Sequence, residues 1–195
     1  IPTPDGRPIR VGNTPKIKPG PDDTFMSYDL PWANASNTPF RLYKHWVHEG
    51  GIATPFIVYW PKVIRESNIV HEPCHVIDIM ATCLAVSNIE YPEEYNDSKI
   101  TPMEGESLLP LLQGRNWKRE RPIFWEHEGN RAVIDGKWKL VSEFPGLWKN
   151  FYPKQDGKWE LYNLETDRGE LNDLSNIYPK KVEYLKNLYE EWEEK

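Results

Sequence analysis

Arg41-Leu-Tyr-Lys-His-Trp-Val-His-Glu-Gly-Gly-Ile-Ala-Thr-Pro-Phe-Ile-Val-Tyr-Trp60 is the stretch whose reading decides the fold. It sets Lys44, His45, His48 and Glu49 close together, follows them with Gly50-Gly51, and then enters an unbroken apolar run, Phe56 to Trp60. A polar loop feeding a short β-branched and aromatic run reads as functional side chains delivered to the edge of a buried strand. Pro61, which has no amide to donate, ends that strand. The paired glycines are expected to supply the backbone freedom of a tight turn.

Composition narrows the function classes. The chain has 195 residues and a formal charge of −6, enough for one domain or for a large piece plus a small one. Its basic residues form no stripe, which argues against a nucleic-acid partner. No apolar run approaches the roughly 18 residues of a membrane span. Cys74 and Cys83 fall in a segment that reads as helix, too far apart to bridge at about 1.5 Å rise per residue, and are expected as buried thiols. His45 and His48 stand three apart with no further ligand nearby in sequence, so they read as loop histidines rather than a metal pair. The N-terminus, Ile1-Pro-Thr-Pro, carries no targeting signal and reads as a start in mid-chain.

On either side of the central stretch the patterns are distinct. Residues 1–39, dense in Pro, Gly, Asp and Asn, read as a long irregular loop whose Phe25, Tyr28, Leu30 and Trp32 pack down near the site. Pro73 suits a first helical turn, and Val76, Ile79, Met80, Cys83 and Leu84 form a stripe that should bury one helix face. His75 and Asp78 are placed to pair across a turn of it. Leu108, Leu109, Leu111 and Leu112 make a short apolar plug ended by Gly114, and 115–121 is a charged connector. Strands follow over 122–127, 131–134 and 138–141, alternating in from out. Asp135-Gly136 is the dipeptide favoured in a type I′ turn, and the Asp-Gly-Lys-Trp motif recurs at 156–159 before Tyr162-Asn-Leu. A last helix enters at Pro179 with Val182, Leu185, Leu188, Tyr189 and Trp192 on one stripe, required to cover a sheet face. Lys180 and Lys181 at its start and glutamates at its end oppose the dipole, so packing must hold it.

Lys44-x-x-x-His48-Glu-Gly-Gly-Ile-x-Thr-Pro before an apolar strand ending Trp60-Pro resembles the second signature block of the type I, formylglycine-dependent sulfatases. His75-Val-Ile-Asp-Ile-Met, Glu106-Ser-Leu-Leu-Pro-Leu-Leu-Gln-Gly, Asn130-Arg-Ala-Val-x-Asp-Gly-Lys-Trp-Lys-Leu-Val and Glu160-Leu-Tyr-Asn-Leu are similar to the C-terminal half of bacterial arylsulfatases, in that family's order. The likeness covers Asn37 to about Asn176. It implies an α/β class, α+β within this chain. Residues 1–118 would be the C-terminal part of an alkaline-phosphatase-like domain. Residues 119–195 would be a small four-stranded antiparallel sheet packed by a terminal helix.

For chemistry, the resemblance implies hydrolysis of sulfate monoesters by a hydrated formylglycine with Ca²⁺ or another divalent cation, acting on a sulfated small molecule or carbohydrate, and a periplasmic or secreted setting. Of the family's active-site residues Lys44 alone maps here, as the lysine that contacts sulfate. A compact ammonium with three donors suits a group whose charge is spread over several oxygens. His45, His48 and Glu49 are site-adjacent candidates, Glu49 as a pairing or capping residue within the loop rather than a base. The family's Cys/Ser-x-Pro-x-Arg, N-terminal Asp pair and Asp-Asn-Gly do not occur, and Asp22-Asp23 sits in the wrong order. The chain is therefore expected to need an upstream part to turn over, and its own residues supply no ligand to the family's cation. Two readings compete: a phosphodiesterase or phosphonate hydrolase of the same superfamily, and a non-catalytic carbohydrate-binding module using the Trp-rich surface.

Overall fold

The computed structural model describes residues 2–27, 29–144 and 157–195. Near the N-terminus, β1 (Arg10–Val11) pairs in parallel with β2 (Thr24–Phe25). Surface ion pairs Arg7–Asp22 and Arg10–Asp23 hold the excursion between them. The expected loop through residue 39 is broken by a helix, α1 (Asp29–Ser36). Asp29 accepts the Leu30 amide at 3.0 Å, and Pro31 sits in the first turn, where a missing donor is tolerated. None of its residues is buried, so no apolar stripe could have revealed it. Phe25, Leu30 and Trp32 are exposed rather than packed toward the site. Tyr28 lies outside the described residues.

The central stretch also differs from expectation. Glu49–Ile52 is a short helix, α2, not a turn, and Phe56 to Trp60 is irregular, half-buried at Trp60 and exposed before it, with Ile57 at 89% and Tyr59 at 88% of full accessibility. An extended segment becomes a strand only when neighbours take its amides and carbonyls, and among the described residues no strand lies beside this one.

The next helix, α3 (Ile77–Ser87), begins after Pro73 and closes at Asn88 in the left-handed region. Its buried positions are Asp78 and Ala81, whereas Val76, Ile79, Met80 and both cysteines are exposed, the reverse of the expected face. A polar cluster turns the helix. The Asp78 carboxylate takes the Arg119 guanidinium, the His75 amide (2.7 Å) and the Glu106 amide (2.9 Å), drawing that face inward. Asp78 thus pairs with the His75 backbone, not its ring. A hairpin, β3 (Glu94–Tyr95) and β4 (Ser98–Lys99), follows. The leucine plug then forms α4 (Leu109–Leu112), with Leu108 buried and Gly114 at φ +73° just past its end.

The main sheet is an antiparallel meander, β5 (Ile123–His127), β6 (Asn130–Asp135), β7 (Trp138–Ser142) and β8 (Trp159–Asn163), ordered 5-6-7-8. Type I′ backbone occurs at Glu128-Gly129 (φ +51°, +85°) and Asn96-Asp97 (+49°, +60°). Between β6 and β7 the central residues are Gly136-Lys137 and only Gly136 has positive φ (+55°), the type II′ pattern. The expected I′ turn at Asp135-Gly136 is corrected accordingly, because register pairs Asp135 with Trp138 and moves the turn by one residue. Asp156 of the second Asp-Gly lies outside the described residues. Helix α5 (Pro179–Glu193) covers one sheet face as its stripe requires: Leu185 and Tyr189 are fully buried against Val133, Leu140 and Leu161, with Phe124, Trp138, Trp159, Val182, Leu188 and Trp192 around them.

The strands do not simply alternate in from out. Lys139, Leu140, Val141 and Ser142 are buried in succession, because the other face is covered too: Val47 packs on Ala132, Val141 and Tyr162, with Ile52 and Trp125 beside them.

Candidate functional site

The covering of that second face is the segment 41–52. It is fixed first by its backbone. The Gly50 amide donates to Arg41 O at 2.9 Å and the Trp46 amide to Tyr43 O at 3.1 Å. A β-carbon on Gly50 would run into the carbonyls of Arg41 and Leu42, and one on Gly51 into that of Trp46. Neither glycine has positive φ. Their role is close approach of backbone to backbone, not the turn freedom expected from sequence.

Side chains then fasten the segment to the sheet. Glu49 is buried. Its amide donates to Glu170 Oε2 (2.8 Å), and its carboxylate takes Lys139 Nζ (3.1 Å) and Arg168 Nη2 (2.8 Å). Lys139 Nζ also lies 2.8 Å from Glu170 Oε1, giving a buried carboxylate–ammonium–carboxylate chain across β7. Glu49 therefore pairs with the sheet rather than within its own loop. Burial pushes its carboxyl toward the neutral form, but the Lys139 and Arg168 charges outweigh that and leave it below the ordinary range.

A second network stands at the strand ends. Arg41 Nη1 donates to Tyr162 OH (2.9 Å) and Glu160 Oε2 (3.1 Å), while its Nη2 lies 3.4 Å from Glu143. Tyr162 OH donates to the same Glu160 oxygen at 2.6 Å. His48, only 1% exposed, brings Nε2 to 3.4 Å from it and leaves Nδ1 buried without a hydrogen-bond partner. For Glu160, burial opposes ionisation, yet hydrogen bonds from His48 and Tyr162 and the charge of Arg41 prevail, holding its carboxyl at about 2 against an ordinary 4.5. Burial and the Glu160 contact keep the Tyr162 phenol protonated. A depressed carboxyl contributes stability that is complete above its unfolded value and is lost as pH falls through its folded one. Denaturant titrations between pH 5 and pH 3 are expected to show a shallower loss of stability in Glu160→Gln than in the unmodified protein. Equal slopes would remove Glu160 from this account.

The four residues singled out from sequence thus part company. Lys44 is exposed, and Glu49 and His48 are buried anchors. His45, at φ +101°, meets Glu128 with Nδ1–Oε2 2.6 Å, and its ring stands edge-on to His127 with centroids 5.9 Å apart. Sequence reading did not find Arg41, Lys139, Glu160, Glu170, His127 or Glu128. One signal was available: Lys139 sits between Trp138 and Leu140-Val141, where a charge on a covered strand requires a partner.

Calcium takes six to eight oxygen ligands. Among the described residues one group of three His, Cys, Asp or Glu side chains could share an ion, His45, His127 and Glu128; two imidazoles and one carboxylate do not fit a hard cation of that kind.

Comparison with known proteins gives the family. Residues 40–195 match the family model of the N-sulphoglucosamine sulphohydrolase C-terminal region. An uncharacterized sulfatase of Schizosaccharomyces pombe is 30% identical over 175 residues, covering 87% of this chain and 29% of its own length. An N-acetylgalactosamine-6-O-sulfatase of Bacteroides thetaiotaomicron is 29% identical over 162 residues, covering 79% and 30%. An ulvan-active sulfatase of Formosa agariphila is 33% identical over 161 residues, covering 68% and 31%. The chain thus spans about 30% of the length of these relatives. Among solved structures, that of Ps i-CgsB in complex with k-i-k-neocarrahexaose superposes with a TM-score of 0.64 at 21% identity, covering 80% of this chain and 32% of that one, which speaks for the fold. No helix among the described residues is long and apolar enough to cross a membrane. With its sheet, terminal helix and anchored Glu-Gly-Gly segment, the chain belongs to the C-terminal family of the sulfatases represented by N-sulphoglucosamine sulphohydrolase.

Proposed function

We propose that this chain forms the C-terminal part of an enzyme hydrolysing sulfate monoesters of carbohydrates, and that Lys44 contacts the sulfate. The observation that carries the reading is the placement of Lys44. Around it Arg41, His48 and Glu49 are tied into the sheet, while Lys44 projects to solvent from the same anchored segment. A rigidly held loop presenting one cation is what a preorganised anion contact requires. Relatives named for N-acetylgalactosamine 6-sulfate and for ulvan support a sulfated saccharide as the substrate class. Residues 1–118 then belong with the catalytic domain and 119–195 form the sheet subdomain. Nucleophile and metal ligands come from sequence preceding this chain, and the chain by itself is inactive. His45, His48 and Glu49 shape and fix the segment and transfer no proton.

Kinetics of the complete enzyme test this. Lys44→Ala is expected to lower turnover of an aryl or saccharide sulfate on the order of 10²-fold, as loss of one charge-stabilising donor does, with thermal stability unchanged because the side chain is exposed. Turnover within a factor of two of the parent would take Lys44 out of the site.

A further inference from the structure

The β5–β6 turn carries His127 and Glu128 up to His45, and one ligand atom from each lies within 4.8 Å of the others. We propose that these three side chains form a site for a borderline-soft divalent cation of the zinc class, with a fourth coordination position open to water or an exogenous ligand. The proposal is independent of sulfate ester hydrolysis.

The donor set points to the cation. Two imidazoles and one carboxylate match the nitrogen-and-oxygen sites that hold zinc, three protein ligands being the pattern that leaves one position free. The distances also suit it. Ligands about 2.0–2.2 Å from a tetrahedral ion stand about 3.4 Å from one another. His45 Nδ1 and Glu128 Oε2, paired at 2.6 Å, would part to that spacing to admit the ion, no separation within the group exceeds 4.8 Å, and the side chains of His127 and Glu128 are exposed.

Both backbones that carry the ligands are fixed. Asn130 is buried, and its amide donates to His45 O (3.3 Å) and to His127 O (3.0 Å), while its carbonyl accepts the Phe144 amide at 3.0 Å. One side chain therefore sets the distance between two ligand-bearing segments far apart in sequence. His45 at φ +101° and Glu128 at φ +51° occupy backbone regions uncommon for residues with a β-carbon. Such conformations persist where the surroundings over-determine them, and here they aim two donors at one point. An ion bound there would join the Lys44 segment to the sheet by a coordinate link.

Zinc chloride titrated calorimetrically into the chelator-treated protein tests the site. Saturable binding is expected that weakens about tenfold or more in His127→Ala and in Glu128→Gln and is unchanged in His71→Ala, an exposed histidine outside the cluster. Both ligand substitutions lie at exposed positions, and metal-free melting curves matching the parent would exclude misfolding. Bound Co²⁺ should give a low-coordinate visible spectrum that His127→Ala abolishes. Absence of saturable zinc binding would overturn the proposal, as would undiminished binding in the His127→Ala/Glu128→Gln double variant.

Discussion

Replacing Lys139 by methionine is expected to destabilise the protein by about 3–5 kcal/mol, the cost of leaving buried charge uncompensated. The lysine is fully buried, with Nζ 3.1 Å from Glu49 and 2.8 Å from Glu170. Methionine fills nearly the same volume but leaves two carboxylates facing each other with only the half-exposed Arg168 to answer them. The pH dependence follows from the direction of the Glu49 shift. In the parent, burial alone would raise that carboxyl, and the Lys139 and Arg168 charges bring it below its ordinary 4.5. Its contribution is then present above that value and lost as pH falls through the lower folded one. Without Lys139 the Glu49 carboxyl loses its largest opposing charge and takes up a proton more readily, so the deficit is largest at neutral pH and narrows toward pH 4. Urea denaturation at pH 7 and pH 4.5 measures both effects. Lys139→Met with Glu49→Gln and Glu170→Gln should recover part of the loss, since an uncharged trio leaves no buried charge. A single variant within about 1 kcal/mol of the parent would contradict the burial of this chain of charges.

Gly51→Ala is expected to cost about 3 kcal/mol, at the upper end of what an added methyl does in a filled site. The obstruction is backbone: the new carbon would meet the Trp46 carbonyl, with Tyr43 O also close. Backbone cannot rotate aside as a side chain does. Those carbonyls belong to the loop that bears Lys44, so relief requires the loop itself to move. In the complete enzyme the variant should lose activity on the order of 10²-fold, the effect of an ångström-scale misplacement. Denaturation and turnover measured on the same preparation test the two consequences together. Parental stability with parental activity would show that the close approach of Gly51 to Trp46 is not maintained in solution.

What could be read from the residues depended on how local the cause was. The meander and α5 were legible because period-two and helical stripes meet each other within the chain, Val133, Leu140 and Leu161 against Leu185 and Tyr189. The end of the leucine plug was legible from Gly114 alone, whose positive φ is a local requirement. The orientation of α3 was not, since Asp78, a polar residue outside the apolar stripe, is drawn inward by Arg119 and by amides distant in sequence. The Phe56–Trp60 reading failed because composition proposes a strand but only a neighbour makes one. At the site, the motif marked Lys44, His45, His48 and Glu49 but not their partners. Lys139 and Glu160 come from strands whose polar positions look solvent-facing until the segment 41–52 lies over them, while His127 and Glu128 stand exposed at the end of β5 and in the turn after it.

That two-sided covering has a consequence for how the protein tolerates change. Along β7, Trp138 and Leu140 belong to the α5 side, while Lys139 and Val141 belong to the Lys44 side. β8 divides likewise, Trp159 and Leu161 from Glu160 and Tyr162. Neighbouring residues of one strand therefore load different packings: a change at one set of alternate positions is felt by α5, and a change at the set between is felt by the segment 41–52.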